Sequence, residues 1–236
     1  WAVYYNTEVF DEYGLEVPET WDEFLALCEE LKSNGVTPIT IGTKYRWTAA
    51  AWFDYLNMRV NGPEFHIDLM LGKESYNDPR VLRVFEEYWA PLIENGYFIE
   101  DPASYAWAEA IPFMNNGEAA MYLMGDFIRD SYPEEDVDKI DFFRFPIIDP
   151  DVPVGEDAPT DGYFIAAESQ HPEMAKELLA YFGSAEAQTY MAEKLGRLVT
   201  NGDVSNDVYD KVQQKGRALI EGADYVAQFY DRDTTP

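Results

Sequence analysis

Aromatic side chains accompany aspartates at the ends of several apolar segments of this chain. Trp47 follows the β-branched stretch VTPITIG. Asp126 and Phe127 follow the apolar run GEAAMYLMG, and Asp161 and Tyr163 stand at the end of a long polar segment. Aromatic faces pack against the C–H faces of sugar rings, and carboxylates accept hydrogen bonds from vicinal hydroxyl groups. These residue types therefore predict a binding site for a neutral, polyhydroxylated ligand.

The same residues also have ordinary structural explanations. A tryptophan in a helical pattern belongs to a core more often than to a ligand platform, and Trp21 and Trp89 fit the core pattern. Trp52 fits either role, whereas Trp47 lies outside the helical stripe and is the better platform. Asp126 lies near the start of a following helix, so its carboxylate can equally serve as a helix cap.

Several catalytic chemistries lack the residues they need. The chain has no G-x-G-x-x-G or G-x-x-x-x-G-K-[ST] phosphate loop and no G-x-S-x-G elbow. His66 and His171, the only histidines, lack metal-ligand spacing, and Cys28 fits a helical core. Two carboxylates for glycoside hydrolysis can always be picked from 45 acidic residues, so that signal carries no weight. We therefore expect no catalytic residue, no metal and no cofactor.

The charge balance argues against polyanionic partners. Against 17 Lys and Arg the chain has 45 Asp and Glu, which gives a formal net charge of −28. Such a surface repels phosphate backbones, so we expect no nucleic-acid partner. A solvated surface is the ordinary explanation of the acidity, and adaptation to salt is one form of it. The sequence also lacks a run of about 18 uncharged apolar residues that would indicate a membrane span.

Helices and strands alternate along the first half of the chain and would position these side chains. Thr20 and Glu23 form a predicted capping box at the start of a helix. VTPITIG follows as a strand, and the next helix is expected over 48–61, with the Gly-Pro dipeptide that follows as its stop. Asp78 is predicted to cap a further helix.

The second half continues the alternation. GEAAMYLMG, DFFRFPII and GYFIAA are predicted as strands, and DPDVPVGEDAPTDG is predicted as a long loop. Helices are expected over 104–114, 172–183, 185–195 and 206–221. The pattern indicates an α/β fold in which helices cover a central sheet.

The order of the local motifs resembles one protein family. VYYNTEVFDEYGLEVPETWDEFLALCEELKSNGVTPITIG, MNNGEAAMYLMGDF and DGYFIAAESQHPEMAKELLAYFGSAEAQ are similar, in this order, to segments of the bacterial family 1 extracellular solute-binding proteins of sugar-importing ATP-binding-cassette transporters. GTKYRWTAAAWFDYLNMRVNG resembles the branch that binds α-glucosides and related oligosaccharides. No single motif is as specific as a catalytic signature, but the resemblance covers nearly the whole chain.

The resemblance implies a periplasmic-binding-protein-like type II fold, in which two lobes close on a sugar without turnover. It implies that the chain is a fragment that lacks an N-terminal part, which would form much of the first lobe. The 236 residues would then be mainly the second, C-terminal lobe, with segments near the chain end returning to the missing lobe.

By position, the resemblance assigns ligand contacts to Trp47, Asp126, Phe127, Asp161 and Tyr163, with Asp54 and Arg197 as further candidates. Phe127 stands where the family frequently has Trp, which leaves the stacking there in question. Arg46 and Arg59 are expected to pair with local acids rather than to contact ligand.

The resemblance further implies a carbohydrate ligand, the membrane permease subunits of an ATP-binding-cassette transporter as partners, and an extracytoplasmic location, either periplasmic or lipid-anchored at the cell surface. From the residues alone, two other functions stay open. One is a glycoside-processing enzyme that uses paired carboxylates, and the other is a lobe that serves as a protein-interaction module.

Overall fold

The structure is a computed structural model that describes residues 1–233, and the chain forms two units. The first unit contains Trp1–Ala158 and the described residues from Gly222 onward. The second unit is Pro159–Glu221. Within residues 1–233, no helix is both long and apolar enough to cross a lipid bilayer.

A four-stranded mixed sheet forms the centre of the first unit. Its strands are β1 (Ala2–Asn6), β2 (Thr37–Ile39), β3 (Ala119–Met124) and β4 (Ile140–Phe143), in the spatial order β2-β3-β1-β4. β2 runs parallel to β3, and β1 runs antiparallel to both β3 and β4. The ends of β2, β3 and β4 and the start of β1 therefore lie at the same edge of the sheet. The α/β fold predicted from the alternation of elements is confirmed.

Helices pack around this sheet. In chain order they are α1 (Thr7–Tyr13), α2 (Trp21–Ser33), α3 (Trp47–Met70), α4 (Pro79–Arg83), α5 (Ala90–Glu94) and α6 (Ile111–Asn115), with a π-helical turn at Val84–Trp89 joining α4 to α5. Short 3₁₀ helices lie at Pro102–Ser104, Ala108–Ala110, Asp126–Ser131 and Glu134–Lys139. The predicted helix over 104–114 is therefore split into shorter helical turns.

Local signals explain where α2 begins and which face it buries. The Thr20 hydroxyl accepts a hydrogen bond from the Glu23 amide at 3.3 Å, and the Glu23 carboxylate accepts one from the Thr20 amide at 2.9 Å. The capping box is thus confirmed. Phe24, Cys28 and Leu31 are fully buried along one stripe, which the 3.6-residue period predicts.

Helix α3 consists of two helical segments. The first ends at Gly62 as predicted, because Gly62 has a non-helical φ of 78° and ψ of 175°, and a second segment, which was not predicted, follows to Met70. Pro63 starts the second segment. Its missing amide hydrogen costs no hydrogen bond there, because the first amides of a helix have no acceptor within the helix. Trp52 is buried in the core on this helix and is not a ligand platform.

Part of the segment predicted as a long loop is a strand of a second, two-stranded sheet. Gly155–Asp157 forms β5 and pairs in parallel with β6 (Tyr225–Ala227). The strand GED lacks the β-branched and alternating pattern by which a strand is recognised, so its pairing with a distant segment left no local signal.

The second unit is built from α7 (Pro172–Phe182), α8 (Ala185–Leu195) and α9 (Lys211–Glu221), with a 3₁₀ turn at Asn206–Val208. Its small core includes Ala192, Val204 and Tyr209. Ser184 caps α8 as predicted, because its hydroxyl accepts from the Ala187 amide at 3.3 Å. After β6 the chain adds the short α10 (Tyr230–Asp233) to the first unit.

The predicted strand GYFIAA is wrong. Residues 162–166 have no regular structure, Ala167 lies in a turn, and Tyr163 and Phe164 are exposed. These residues lie in the second unit, whose described residues contain no strand to supply a partner. The apolar run next to a glycine therefore has the residue pattern of a strand, but a strand also needs a neighbouring strand with which to form hydrogen bonds.

A buried ion pair joins α3 to β5. Arg59 and Glu156 are 2% and 1% exposed, and Arg59 Nη2 lies 3.1 Å from Glu156 Oε1. The Arg59 guanidinium also donates to the Phe145 and Gly155 carbonyls. Arg144 Nε lies 2.9 Å from the same Glu156 oxygen. The expectation that Arg59 pairs with an acid is confirmed, and the pair is internal.

Tyr55 extends this buried cluster to the start of the chain. Its hydroxyl lies 2.7 Å from the Trp1 carbonyl and 3.1 Å from Glu156 Oε2, and it accepts from the Asp157 amide at 3.3 Å. Burial, with the charges of Glu156 and Asp157 as further causes, raises the pKa of Tyr55 well above its usual value. The hydroxyl therefore stays protonated and acts as a donor at neutral pH.

Glu156→Gln should lower the free energy of unfolding by about 3–5 kcal/mol, because it leaves the buried Arg59 guanidinium without its counter-charge. Urea denaturation measures this. The matched control is Glu87→Gln, which removes an exposed pair with Arg83 (2.8 Å) and should cost less than about 1 kcal/mol. Equal effects of the two substitutions would contradict the central role of the Arg59–Glu156 pair.

Candidate functional site

Five aromatic rings from distant parts of the chain meet in the first unit. We call them the ring cluster, and its members are Trp1, Trp47, Trp107, Phe127 and Phe229. The Trp1 and Phe229 rings are stacked with centroids 4.8 Å apart. Trp47 lies edge-on to Trp1 at 5.8 Å, and Trp107 lies edge-on to Phe127 at 5.2 Å. These are favourable geometries for aromatic pairs.

The ring cluster lies between core and surface. Phe229 is buried, with 4% of its surface exposed, whereas Trp1, Trp47, Trp107 and Phe127 are each partly exposed. The buried Phe229 ring packs against Trp1 and Trp47, and the four other rings each keep part of their surface exposed. A group of this kind can pack against an apolar ligand face with little further loss of side-chain freedom.

The direction of the strands explains why three of these rings meet. Trp1 directly precedes β1, and Phe127 follows the end of β3. Ala2 pairs with Met124, so the start of β1 and the end of β3 are neighbours. Trp47 opens α3 after β2, which runs parallel to β3. The rings therefore converge at one edge of the sheet, where ligands of α/β folds bind.

Trp107 reaches the cluster through a close approach of two loops. A Cβ at Gly42 would lie less than 3.0 Å from the Ala106 carbonyl and the Trp107 amide, so only glycine fits. The buried Tyr122 hydroxyl accepts from the Gly42 amide at 3.3 Å and donates to the Trp107 carbonyl at 3.1 Å. Thr48 Oγ1 donates to the Gly42 carbonyl at 2.6 Å. These bonds hold Trp107 within 6.1 Å of Trp47.

The turn after β3 places Asp126 and Phe127. The Phe127 ring folds over Gly125, where a Cβ would come within 3.0 Å of it. Asp126 opens the 3₁₀ helix Asp126–Ser131 and is partly exposed. The cap of that helix is Gly125, which makes no side-chain hydrogen bond. Asp126 thus lies next in sequence to a ring of the cluster, and the structure does not place it as the helix cap.

Asp54 lies in the core and not at the surface, where a ligand contact would have to lie. It is fully buried, and its Oδ2 accepts a hydrogen bond from the Tyr230 amide at 2.9 Å. This bond fixes the chain directly after Phe229. We therefore correct the expectation for Asp54: it anchors the segment that carries a cluster ring, because its carboxylate does not reach the surface.

The remaining predicted contacts lie in the second unit. Asp161, Tyr163 and Arg197 are all exposed. Within that unit the Tyr163 ring lies 5.8 Å from Phe182. Both line an open pocket of about 430 Å³, together with Leu179, Gly183, Gln188 and Met191. These three predicted contacts stay predictions.

Two side chains that could serve metal or nucleophilic chemistry, His66 and Cys28, are buried in the described structure. Among residues 1–233, no three His, Cys, Asp or Glu side chains are arranged to hold a metal ion. His66 is buried, and burial lowers its pKa to about 4. It is therefore neutral at neutral pH, and its Nδ1 lies 3.0 Å from Asn57 Nδ2. Cys28 is buried as predicted, and burial raises the pKa of its thiol.

Sequence reasoning missed three members of the ring cluster. Trp1 was not recognised because the pairing of β1 with a distant strand has no local signature. Trp107 was placed inside a predicted helix, and Phe229 lies after β6, a strand that was not predicted. Nothing in the residues next to Trp107 in the sequence indicated its place in the cluster.

Comparison with known proteins gives consistent matches over the chain. The profile of the bacterial extracellular solute-binding protein family matches residues 1–189. An uncharacterized ABC transporter extracellular-binding protein of Pyrococcus horikoshii is 32% identical over 217 residues, which cover 90% of this chain and 47% of that protein. The chain thus spans about half the length of such curated relatives.

Solved structures agree with the sequence matches. The bacterial solute receptor AcbH, which has an exclusive substrate preference for β-D-galactopyranose, superposes with a TM-score of 0.85 and 34% identity. The match covers 100% of this chain and 60% of the receptor. A chitin oligosaccharide binding protein superposes with a TM-score of 0.83 over 98% of this chain and 59% of its own, and its 22% identity shows the fold alone.

Gly42→Ala should displace the 102–107 loop, because the added Cβ meets backbone that cannot rotate away. We expect a loss of about 1–3 kcal/mol in the free energy of unfolding and a changed near-ultraviolet circular dichroism spectrum as Trp107 leaves Trp47. Gly202→Ala is the control, since a Cβ there meets no atom within 4 Å. Unchanged stability and spectrum in Gly42→Ala would show that the two loops do not lock each other.

Proposed function

Because the chain belongs to the family of bacterial extracellular solute-binding proteins, we propose that it is part of a receptor that binds a sugar or oligosaccharide and delivers it to an ATP-binding-cassette permease. The observation that carries this proposal is the ring cluster, four of whose rings are partly exposed and three of which lie where β2 and β3 end and β1 begins. A platform of this kind suits the apolar C–H face of a pyranose ring.

Polar groups beside the platform would orient the sugar. Asp126 is partly exposed and directly precedes Phe127. A carboxylate accepts hydrogen bonds from two vicinal hydroxyls, which is the pattern that a sugar presents around its ring. A neutral ligand also avoids the repulsion that an anion would meet from a protein of net charge −28.

The names of the relatives support the same ligand class. They include probable sugar-binding periplasmic proteins, a multiple sugar-binding protein and an α-glucosides-binding periplasmic protein. These relatives are binding proteins, and we propose the same for this chain, without turnover of the sugar. The extracellular family and these names support a location outside the cytoplasmic membrane, in the periplasm or at a lipid anchor.

We further infer that Pro159–Glu221 packs against a lobe that lies outside this sequence. Helix α7 is amphipathic, yet none of its side chains is buried. Met174, Leu178, Tyr181 and Phe182 are exposed at helical spacing on it. An apolar stripe of this kind normally covers a core. Asp161, Tyr163 and Arg197 belong to this unit, and we propose that they contribute ligand contacts in the complete protein.

The function is tested by thermal shift on the full-length native protein. The panel is D-galactose, raffinose, maltose, a chitin disaccharide and a xylan disaccharide. At a hundred times its dissociation constant, a bound sugar stabilises the folded state by about 2.7 kcal/mol, which raises Tm by several degrees. The bound sugar should be recovered intact after long incubation. A panel without any shift, or steady release of reducing ends by the purified protein, would overturn the proposal.

Trp47→Ala and Asp126→Asn should each weaken binding of the best panel sugar about tenfold or more. Stacking on Trp47 contributes about 1–2 kcal/mol, and a hydrogen bond to the Asp126 carboxylate about 1.5–3 kcal/mol. Isothermal titration measures both changes.

Two controls separate binding from folding. Trp52→Ala removes a core ring and should cost about 3–5 kcal/mol of stability, while the folded fraction keeps its affinity. Asp22→Asn changes an exposed aspartate on α2 and should leave the affinity unchanged. If Trp47→Ala loses stability as Trp52→Ala does and keeps its affinity, the ring cluster is a structural feature and the binding site lies elsewhere.

A further inference from the structure

Arg46 has a backbone conformation that is unfavourable for its residue type. Its φ is 65° and its ψ is −25°, in the left-handed half of conformational space. Among the described residues, only Arg46 and Asp101 combine a positive φ with a side chain. Asp101, with φ 49° and ψ 47°, lies near the left-handed minimum, and aspartate is enriched there. Arginine has no such local compensation.

Arg46 also breaks the rules for the start of a helix. It occupies the cap position of α3 and makes no side-chain capping hydrogen bond. The start of a helix favours Ser, Thr, Asp or Asn, whose oxygens accept from free amides. A cation at this end also opposes the helix dipole. Neither the backbone nor the helix is stabilised by an arginine at this position.

The Arg46 side chain has no partner inside the described structure. Within residues 1–233, every other arginine takes part in an ion pair, a hydrogen bond or another polar interaction, whereas no such interaction of the Arg46 side chain is found. Arg46 is exposed, and the protein carries a net charge of −28. The expectation that Arg46 pairs with a local acid is therefore wrong.

The position of Arg46 beside the ring cluster explains why an arginine occurs where the backbone and the start of the helix disfavour it. The next residue is Trp47, whose ring belongs to the ring cluster and is partly exposed. A residue whose backbone conformation is unfavourable and whose side chain makes no stabilising contact points to a functional site. A guanidinium offers five donors in a planar fork, which suits the closely spaced hydroxyl and ring oxygens of a sugar.

We propose that Arg46 is a ligand-binding residue that donates hydrogen bonds to the sugar stacked on Trp47. The inference rests on the proposed sugar-binding function and adds a donor to a site whose predicted polar contact in this unit, Asp126, is an acceptor. It makes Arg46 a specificity residue, because only a sugar with oxygens directed towards the start of α3 satisfies it.

The test is Arg46→Asn in the full-length native protein, with the panel sugar that binds the wild type most tightly as the probe. Asparagine tolerates the left-handed conformation and can cap α3, so the variant keeps the backbone and loses only the guanidinium. We expect Tm without sugar to rise by about 2–4 °C and the dissociation constant to increase about tenfold or more.

Two further variants complete the test. Arg46→Gly should weaken binding to the same extent as Arg46→Asn, since both lack the guanidinium. Asp101→Gly relaxes the other positive-φ residue and should leave the affinity unchanged. An unchanged dissociation constant in Arg46→Asn, whether or not Arg46→Gly binds more weakly, would overturn the inference, because Arg46 would then act through the backbone alone.

The outcomes distinguish this inference from the function on which it rests. If no panel sugar binds the wild type, the proposed function fails and the role of Arg46 fails with it. If a sugar binds the wild type and Arg46→Asn with equal affinity, the proposed function stands and the role of Arg46 alone is refuted. A rise in Tm with a loss of affinity in Arg46→Asn supports both.

Discussion

The buried pair of Arg59 and Glu156 is the interaction on which the candidate site depends. Through Glu156 it fixes β5, and β5 is the strand that pairs with β6. Two residues beyond β6, Phe229 stacks on Trp1, which Tyr55 also ties to Glu156. Two charges removed from water stabilise a fold little by themselves, but their directional bonds exclude other arrangements. The charged core therefore positions the two stacked rings of the cluster, Trp1 and Phe229.

The buried residues of the candidate site tolerate little change, and they determine the positions of its partly exposed rings. Gly42 and Tyr122 hold the loop that carries Trp107, and the Phe127 ring fills the space beside Gly125. The four partly exposed rings are thus fixed from the inside and still have surface in contact with solvent. A receptor gains affinity from such preorganisation, because the ordering entropy is lost during folding instead of during binding.

Local signals could be read from the sequence, whereas distant pairings could not. The capping box at Thr20 depends on residues three apart, and β3 is a continuous apolar run bounded by glycines, so both were predicted correctly. Which strands pair with one another, such as β1 with β3, carried no local signal. β5 and β6 have only three residues each, which is too short to show a recognisable period. Trp47 and Phe127 were found because they follow predicted strands. Phe229 was missed because β6, the strand that precedes it, was not predicted. The prediction of a strand at GYFIAA was wrong because this segment has no neighbouring strand with which to pair.

The central place of β1 in the sheet has a consequence for how the chain acquires its fold. β1 comprises residues 2–6, and its two partners lie at residues 119–124 and 140–143. During synthesis the first strand emerges long before either neighbour, and its pairing must await closure of a very long loop. Until then a nearly continuous apolar segment has no sheet to join, and it is open to contacts with other chains. Closure of the four-stranded sheet thus waits for residue 143, and completion of the first unit waits for β6 at residues 225–227.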